Sequence, residues 1–335
     1  MNFLYRSSLP ALLVFSIALT LFSCKDDNSD SSEFPISEGS VVIPSLTSDT
    51  LLYVAVNEDI VPVYITIPQG CNLSSYPAVV VMHGSGGMWK DDDREAGVMS
   101  SQNRDWQNIF NDNCIIGAFV DSYTPRGCVE RVDAWKEAPL AFKISSQFIR
   151  PLDAYAALDL LRRLVNGDDA ALVNKGNEGI LGFSDGATAL AATLYDTEST
   201  PTDWEWTQSY DKTYTEADGI LPPAEKPADG GFACGVFYYG GSVGNSYWGG
   251  NPCSSNEFIY QNYAPILYQL PANGYLTENT LCAFDVLASK NAPVEKYVYD
   301  NAEHGFDGDD TNQMTQSELA RSRTIDWFKQ YLNIN

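Results

Sequence analysis

The chain has 335 residues, with 20 Lys and Arg against 44 Asp and Glu, and two histidines. At 44% hydrophobic residues it can bury a sizeable core, which excludes wholesale disorder. A net charge of −24 excludes the basic face that nucleic acid or anionic headgroups require, and two histidines exclude a His-rich metal site.

The chain opens on a stretch, residues 1–23, whose only charge is Arg6 and whose apolar run spans Leu9 to Phe22. That run is short for a membrane span and fits a secretory leader. It ends in Ser23-Cys24, which resembles the bacterial lipobox, so Cys24 is expected to carry a lipid and become the first mature residue. Lys25-Asp26-Asp27 resembles the surface-export signal of such lipoproteins, which implies an exported protein anchored to the outer membrane and facing outward. Residues 25–40 are Ser- and Asp-rich and read as a flexible tether, leaving 41–335 as a single domain.

Two β-like runs follow, Leu51–Val56 and Val61–Ile67. Ala78–Met82 is a continuous apolar run, the pattern of a strand buried on both faces of a parallel sheet. Cys114–Val120, Gly179–Phe183, Cys234–Tyr239 and Pro265–Leu270 repeat it, and Val294–Tyr299 is more mixed. Ile149–Leu164 and Leu319–Leu332 carry apolar residues at helical spacing. This alternation predicts an α/β fold with a mostly parallel central sheet flanked by helices. Residues 197–232 break the rhythm: they are long, polar and rich in Trp and Tyr, and fit either a substrate-facing lid or a surface decoration. The acidic run Lys90–Glu95 reads as a solvated helix start, with no spaced oxygen-ligand loop for a cation.

Six cysteines follow Cys24, an even number that suggests disulfides in an exported chain. Cys234 sits in an apolar run and fits a free buried thiol. Cys253 and Cys282 each follow one of two strands expected to be adjacent, and are the favoured pair.

Gly182-Phe183-Ser184-Asp185-Gly186 lies between an apolar strand and a small-residue helix, the setting of a nucleophile elbow. Ser184 needs a base to take its proton. His304, in the loop between the last strand and the last helix, follows it in the required chain order. His83 opens His83-Gly84-Ser85-Gly86-Gly87, where glycine-rich backbone can supply half an oxyanion hole. The expected hole is the N–H of Asp185 with one from the Ser85–Gly87 turn, Ser85 or Gly86, and the His83 ring packs the turn. Arg126, in Asp121–Gly127, sits on the same sheet edge; it either binds a substrate carboxylate or ties its loop to an acid such as Asp121.

These motifs, with Arg150-Pro-Leu-Asp153-Ala-Tyr-Ala-Ala and Ala302-Glu303-His304-Gly305-Phe306, resemble the dienelactone hydrolase family of α/β-hydrolases from about Tyr76 to the C-terminus. The resemblance implies the α/β-hydrolase fold and hydrolysis of carboxylic esters or lactones through an acyl-enzyme, with no cofactor or metal. The name-giving members use cysteine where Ser184 stands, so their substrate does not carry over. The family's acid follows the strand matched by Pro265–Leu270, but its position falls at Gly274, and no acid occurs from Phe258 to Thr277. Asn273 as a neutral partner, a displaced acid (Glu278, Glu257 or Asp285), or a decayed site are the alternatives. A surface-held esterase would act on small-molecule or glycan esters. A peptidase of the same fold and a non-catalytic glycan- or peptide-binding lipoprotein are the rivals.

Overall fold

The computed structural model describes residues 45–128, 138–241, 246–255, 257–308 and 313–334. The leader, Cys24 and the tether lie outside them. The described residues fall within one compact unit, Ile43–Asn335.

In chain order the sheet strands are β1 (Thr50–Val56), β2 (Asp59–Thr66), β3 (Tyr76–Met82), β4 (Ile116–Val120) and β5 (Val173–Phe183), then β8 (Cys234–Tyr238), β9 (Ile266–Pro271) and β10 (Val294–Tyr299). A two-stranded hairpin, β6 (Gln208–Ser209) and β7 (Thr213–Tyr214), lies between β5 and β8. The helices are α1 (Ser101–Asp112), α2 (Leu140–Lys143), α3 (Arg150–Arg163), α4 (Asp185–Thr193), α5 (Thr277–Ser289) and α6 (Met314–Tyr331). The eight sheet strands run in the order β1-β2-β4-β3-β5-β8-β9-β10. The β1–β2 and β2–β4 pairs are antiparallel, and the rest are parallel.

The apolar runs behave as their composition dictates. Every residue of β3, β4, β8 and β9 is buried, because helices cover both faces. Successive side chains divide between two cores: Ala78, Val80 and Met82 enter one with α3 and α4, while Val79 and Val81 enter the other with α1 and α6. The mixed β10 is the edge, where Val298 stays exposed. The chain leaves β3 for β4 on one side and returns to β5 on the other, so the loops after β3 and β5 diverge. A crevice at the carboxyl ends of such strands is where open α/β sheets place their sites.

The rings of the 197–232 segment pack on α2, α3 and the loops after α4 and β8. Trp206 packs on Tyr195, Tyr247 and Trp248, and Phe232 stacks on Tyr155 of α3. Tyr210 and Tyr214 close on Phe142 of α2. None of its described hydrogen bonds or ring contacts reaches Ser184 or His304, so among the described residues the segment is a buttress for neighbouring loops. Trp206 and Phe232 are buried, and Trp204, Tyr210 and Tyr214 are half-buried.

Cys253 pairs with Cys282, as expected, and Cys71 pairs with Cys114. The first bridge fastens the loop after β8 to α5. Cys234 is free and buried, and burial pushes its thiol up. Cys128 is also free.

Candidate active site

β5 delivers Ser184 to the carboxyl edge of the sheet, and α4 begins at the next residue. The turn between them is too tight for side chains on its flanks. A Cβ at position 182 would lie 2.3 Å from the Gly186 carbonyl oxygen, and one at position 186 would lie 2.0 Å from that of Met82. Ser184 itself adopts φ 51° and ψ −112°, a conformation that L residues rarely hold. Its N–H donates to the Tyr238 carbonyl at 2.9 Å, extending the β5–β8 ladder across the bend. Gly186→Ala is therefore expected to lower the unfolding free energy by about 2–3 kcal/mol, read from urea melts, since backbone rather than a mobile side chain must yield.

His304 arrives from the loop after β10. Its Nε2 stands 2.9 Å from the Ser184 Oγ, the distance of a serine–base hydrogen bond. Burial lowers its pKa from the ordinary 6.5, which keeps the imidazole neutral at pH 7. The rings of Tyr239 and Tyr275 flank it, each with a centroid 4.8 Å away.

The turn after β3 abuts the nucleophile: a Cβ at Gly84 would lie 3.6 Å from that of Ser184. The Gly87 N–H closes the turn onto the Gly84 carbonyl at 3.2 Å, leaving Ser85 and Gly86 at its exposed crest. His83 is buried beneath it. Its Nδ1 lies 2.7 Å from the Gly84 carbonyl oxygen and its Nε2 accepts the Ser122 N–H at 3.3 Å, which fixes the Nδ1–H tautomer. Burial, reinforced by nearby Arg150, pushes His83 down to about 4, so it stays neutral and holds the turn.

Arg150 is a residue whose role the sequence did not reveal. Its fully buried guanidinium donates to the Asp185 carboxylate at 2.5 Å and the His83 carbonyl at 2.7 Å. Asp185 also accepts from Tyr123 and Ser146 at 2.7 and 2.5 Å. The carboxylate beside the nucleophile is thus committed to holding α4, the β3 turn and the Ser146 loop together. The Asp185 N–H lies at the first position of α4, at the helix's N-terminal end.

Two expectations need correction. Arg126 does not face open space: its side chain is 3% exposed and forks onto Asp153 of α3 with two hydrogen bonds of 2.8 Å. Its Nε donates to Asp59, and Nη1 also to the Ser122 carbonyl. It ties β2, the loop after β4 and α3 together, and has no fork left for a substrate carboxylate.

The second correction concerns the triad acid. The His304 Nδ1 is buried and has no hydrogen-bond partner among the described residues. Asn273 is exposed and contributes only its N–H, at 3.0 Å from the Ala302 carbonyl. Glu278 and Glu257 are exposed without reaching His304, and Asp285 pairs with Lys296. At position 274 a Cβ would fall 2.5 Å from the Thr277 Oγ1 and 2.6 Å from the Pro271 Cγ, so this loop has no room for an acid where the family places one. Asp307, three residues beyond His304, is buried and accepts from Tyr239, Gln102 and Trp106 instead.

No protein-family model matches the sequence, and no curated protein matches it. Solved structures do match. A dienelactone hydrolase-like promiscuous phosphotriesterase from metagenomic libraries is 13% identical, with a TM-score of 0.53 over 85% of this chain and 98% of that one. Thermogutta terrifontis esterase 2 phosphorylated by paraoxon is 14% identical, with a TM-score of 0.52 over 85% and 96%. An acylaminoacyl peptidase from Pyrococcus horikoshii is 11% identical, with a TM-score of 0.52 over 85% of this chain but 41% of the peptidase. At these identities the likeness bears on architecture, and with the parallel sheet and the elbow at Ser184 it makes this chain an α/β-hydrolase by fold.

Proposed function

We propose that the chain is a serine hydrolase that cleaves carboxylic esters through an acyl-enzyme, held at the outer surface of the cell by a lipid on Cys24. The observation that carries the reading is the 2.9 Å approach of the His304 Nε2 to the Ser184 Oγ at a strained strand-to-helix turn. His304 takes the Ser184 proton as Oγ attacks the ester carbonyl carbon. The oxyanion that forms lies against the N–H of Asp185 and one from the Ser85–Gly86 crest. Collapse breaks the bond to the leaving alcohol, which takes the proton back from His304. Water then repeats the sequence on the acyl-serine, releasing the carboxylic acid and restoring Ser184. The esterase and phosphotriesterase among the structural neighbours favour esters over peptides, and the peptidase neighbour is more than twice this chain's matched length. An esterase displayed on a cell surface would meet the acyl groups of polysaccharides, the substrates we assign to it.

The test is intact-mass analysis of residues 25–335 after exposure to a fluorophosphonate. Single labelling of the wild type, absent in Ser184→Ala, is the expected result. A folded wild type that stays unlabelled for hours would replace the hydrolase by a surface protein that binds through an inert cleft.

A further inference from the structure

We infer that Tyr239 and Tyr275 do for His304 what a carboxylate does in a complete triad: they orient the imidazole and stabilise its protonated form, with Asp307 anchoring Tyr239. The inference rests on Ser184 and His304 being nucleophile and base.

A catalytic imidazole needs a fixed orientation and a counterweight to the charge it gains when it takes the serine proton. Hydrogen bonding from Nδ1 supplies neither here, because that atom is buried without a partner among the described residues. What the imidazole does contact is aromatic. The Tyr239 ring meets it at an interplanar angle of 60°, and the Tyr275 ring at 36°, both at centroid separations of 4.8 Å. An aromatic face attracts a cation within about 6 Å of its centroid, so the Tyr275 ring, tilted by 36°, is the one placed to favour imidazolium, while the edge-type Tyr239 contact orients the imidazole.

The two rings are held in different ways. Tyr275 is 75% exposed, so its ring covers the solvent side of the imidazole. Tyr239 is buried, sits at φ 39° directly after β8, and donates its hydroxyl to Asp307. Gln102 of α1 donates to the Tyr239 hydroxyl at 2.8 Å and to both Asp307 oxygens at 3.0 Å, and the Trp106 indole donates to Asp307 at 3.3 Å. A buried carboxylate is tolerated only when donors converge on it, and these do. Asp307 lies three residues beyond His304 in the same loop, so its bond to Tyr239 fastens the loop that carries the base to the strand beside the nucleophile.

The surrounding charges leave the Tyr275 ring as the imidazole's main counterweight among the described residues. Asp185 on α4 is taken up by Arg150, Tyr123 and Ser146. Arg321 of α6 pairs with Asp105 of α1 and donates to the Asp307 carbonyl. Glu303, Glu278 and Asp300 are exposed. Burial depresses the His304 pKa, and no carboxylate contributes to it among the described residues.

With only two histidines in the chain, the test reads His304 directly and without a substrate. Imidazole NMR titration of residues 25–335, assigned with His304→Gln, is run on wild type, Tyr275→Leu and Tyr275→Phe, alongside fluorophosphonate labelling rates. Tyr275→Leu is expected to lower the His304 pKa by about half a pH unit and to slow labelling about threefold, while Tyr275→Phe stays at wild-type values. Tyr239→Phe keeps the ring but cuts the tie to Asp307; it is expected to slow labelling about tenfold while the pKa moves less than in Tyr275→Leu. An unmoved pKa in Tyr275→Leu, or equal behaviour of the Leu and Phe variants, would overturn the inference. A wild type that titrates as expected yet takes no label would sink the hydrolase reading and leave the aromatic support of His304 standing.

Discussion

Replacing His304 with alanine is expected to slow ester turnover about a thousandfold or more, with the fold retained. A serine hydroxyl is a weak nucleophile until a base takes its proton, and His304 is the side chain within reach of the Ser184 Oγ to do so. The other histidine cannot substitute. Both nitrogens of His83 are engaged with the Gly84 carbonyl and the Ser122 N–H, and its ring is sealed below the turn. The pH profile of the wild type carries the same information. His304 works as a base only when neutral, and burial sets its pKa below 6.5. Its kcat/KM is therefore expected to stay level from neutral pH down past 6.5 and to fall only as the pH drops through the lowered pKa. An acid limb centred above 6.5 would mean that a carboxylate supports the imidazole after all, and a His304→Ala variant with a tenth of wild-type activity would mean the base lies elsewhere.

Arg126→Ala is expected to cost about 3–5 kcal/mol of stability, because it strands the Asp153 carboxylate without its counter-ion in a fully buried site. Burial already raises the Asp153 pKa despite the guanidinium, so the carboxylate depends on that partner. Arg126→Met combined with Asp153→Leu should recover most of the loss: the fully buried charge and its partner leave together, and Asp59, its side chain 32% exposed, can hydrate. Urea unfolding of Arg126→Met, Asp153→Leu and the double variant closes the cycle. A substrate-anchoring arginine would behave otherwise, raising KM with stability unchanged.

Much of this was legible in the sequence. The buried strands announced themselves because a parallel sheet covered on both faces favours apolar side chains, as Ala78–Met82 and Cys234–Tyr238 show. The helix spacing at 150–163 and the turn at 182–186 were readable for similar local reasons: a helix repeats every few residues, and a bend this tight rejects any Cβ. The partnership of Ser184 with His304, 120 residues apart, followed by elimination, since the chain holds two histidines and the loop after β3 claims one of them.

The tertiary structure alone decided where the polar side chains point. Arg126 reads as a substrate clamp or a tie, and only the path that brings Asp59 and Asp153 to it settles which. The missing acid at position 274 was visible in the sequence, but not that Thr277 and Pro271 fill its space or that Tyr239 and Tyr275 flank His304. The rings of the 197–232 segment gave no hint whether they faced a substrate or a core. The reason is common to all three. Apolar patterning is imposed by the nearest layer of the fold and repeats along the chain. A hydrogen bond or ring contact is fixed by one direction between two side chains, and that direction exists only once distant segments have been brought together.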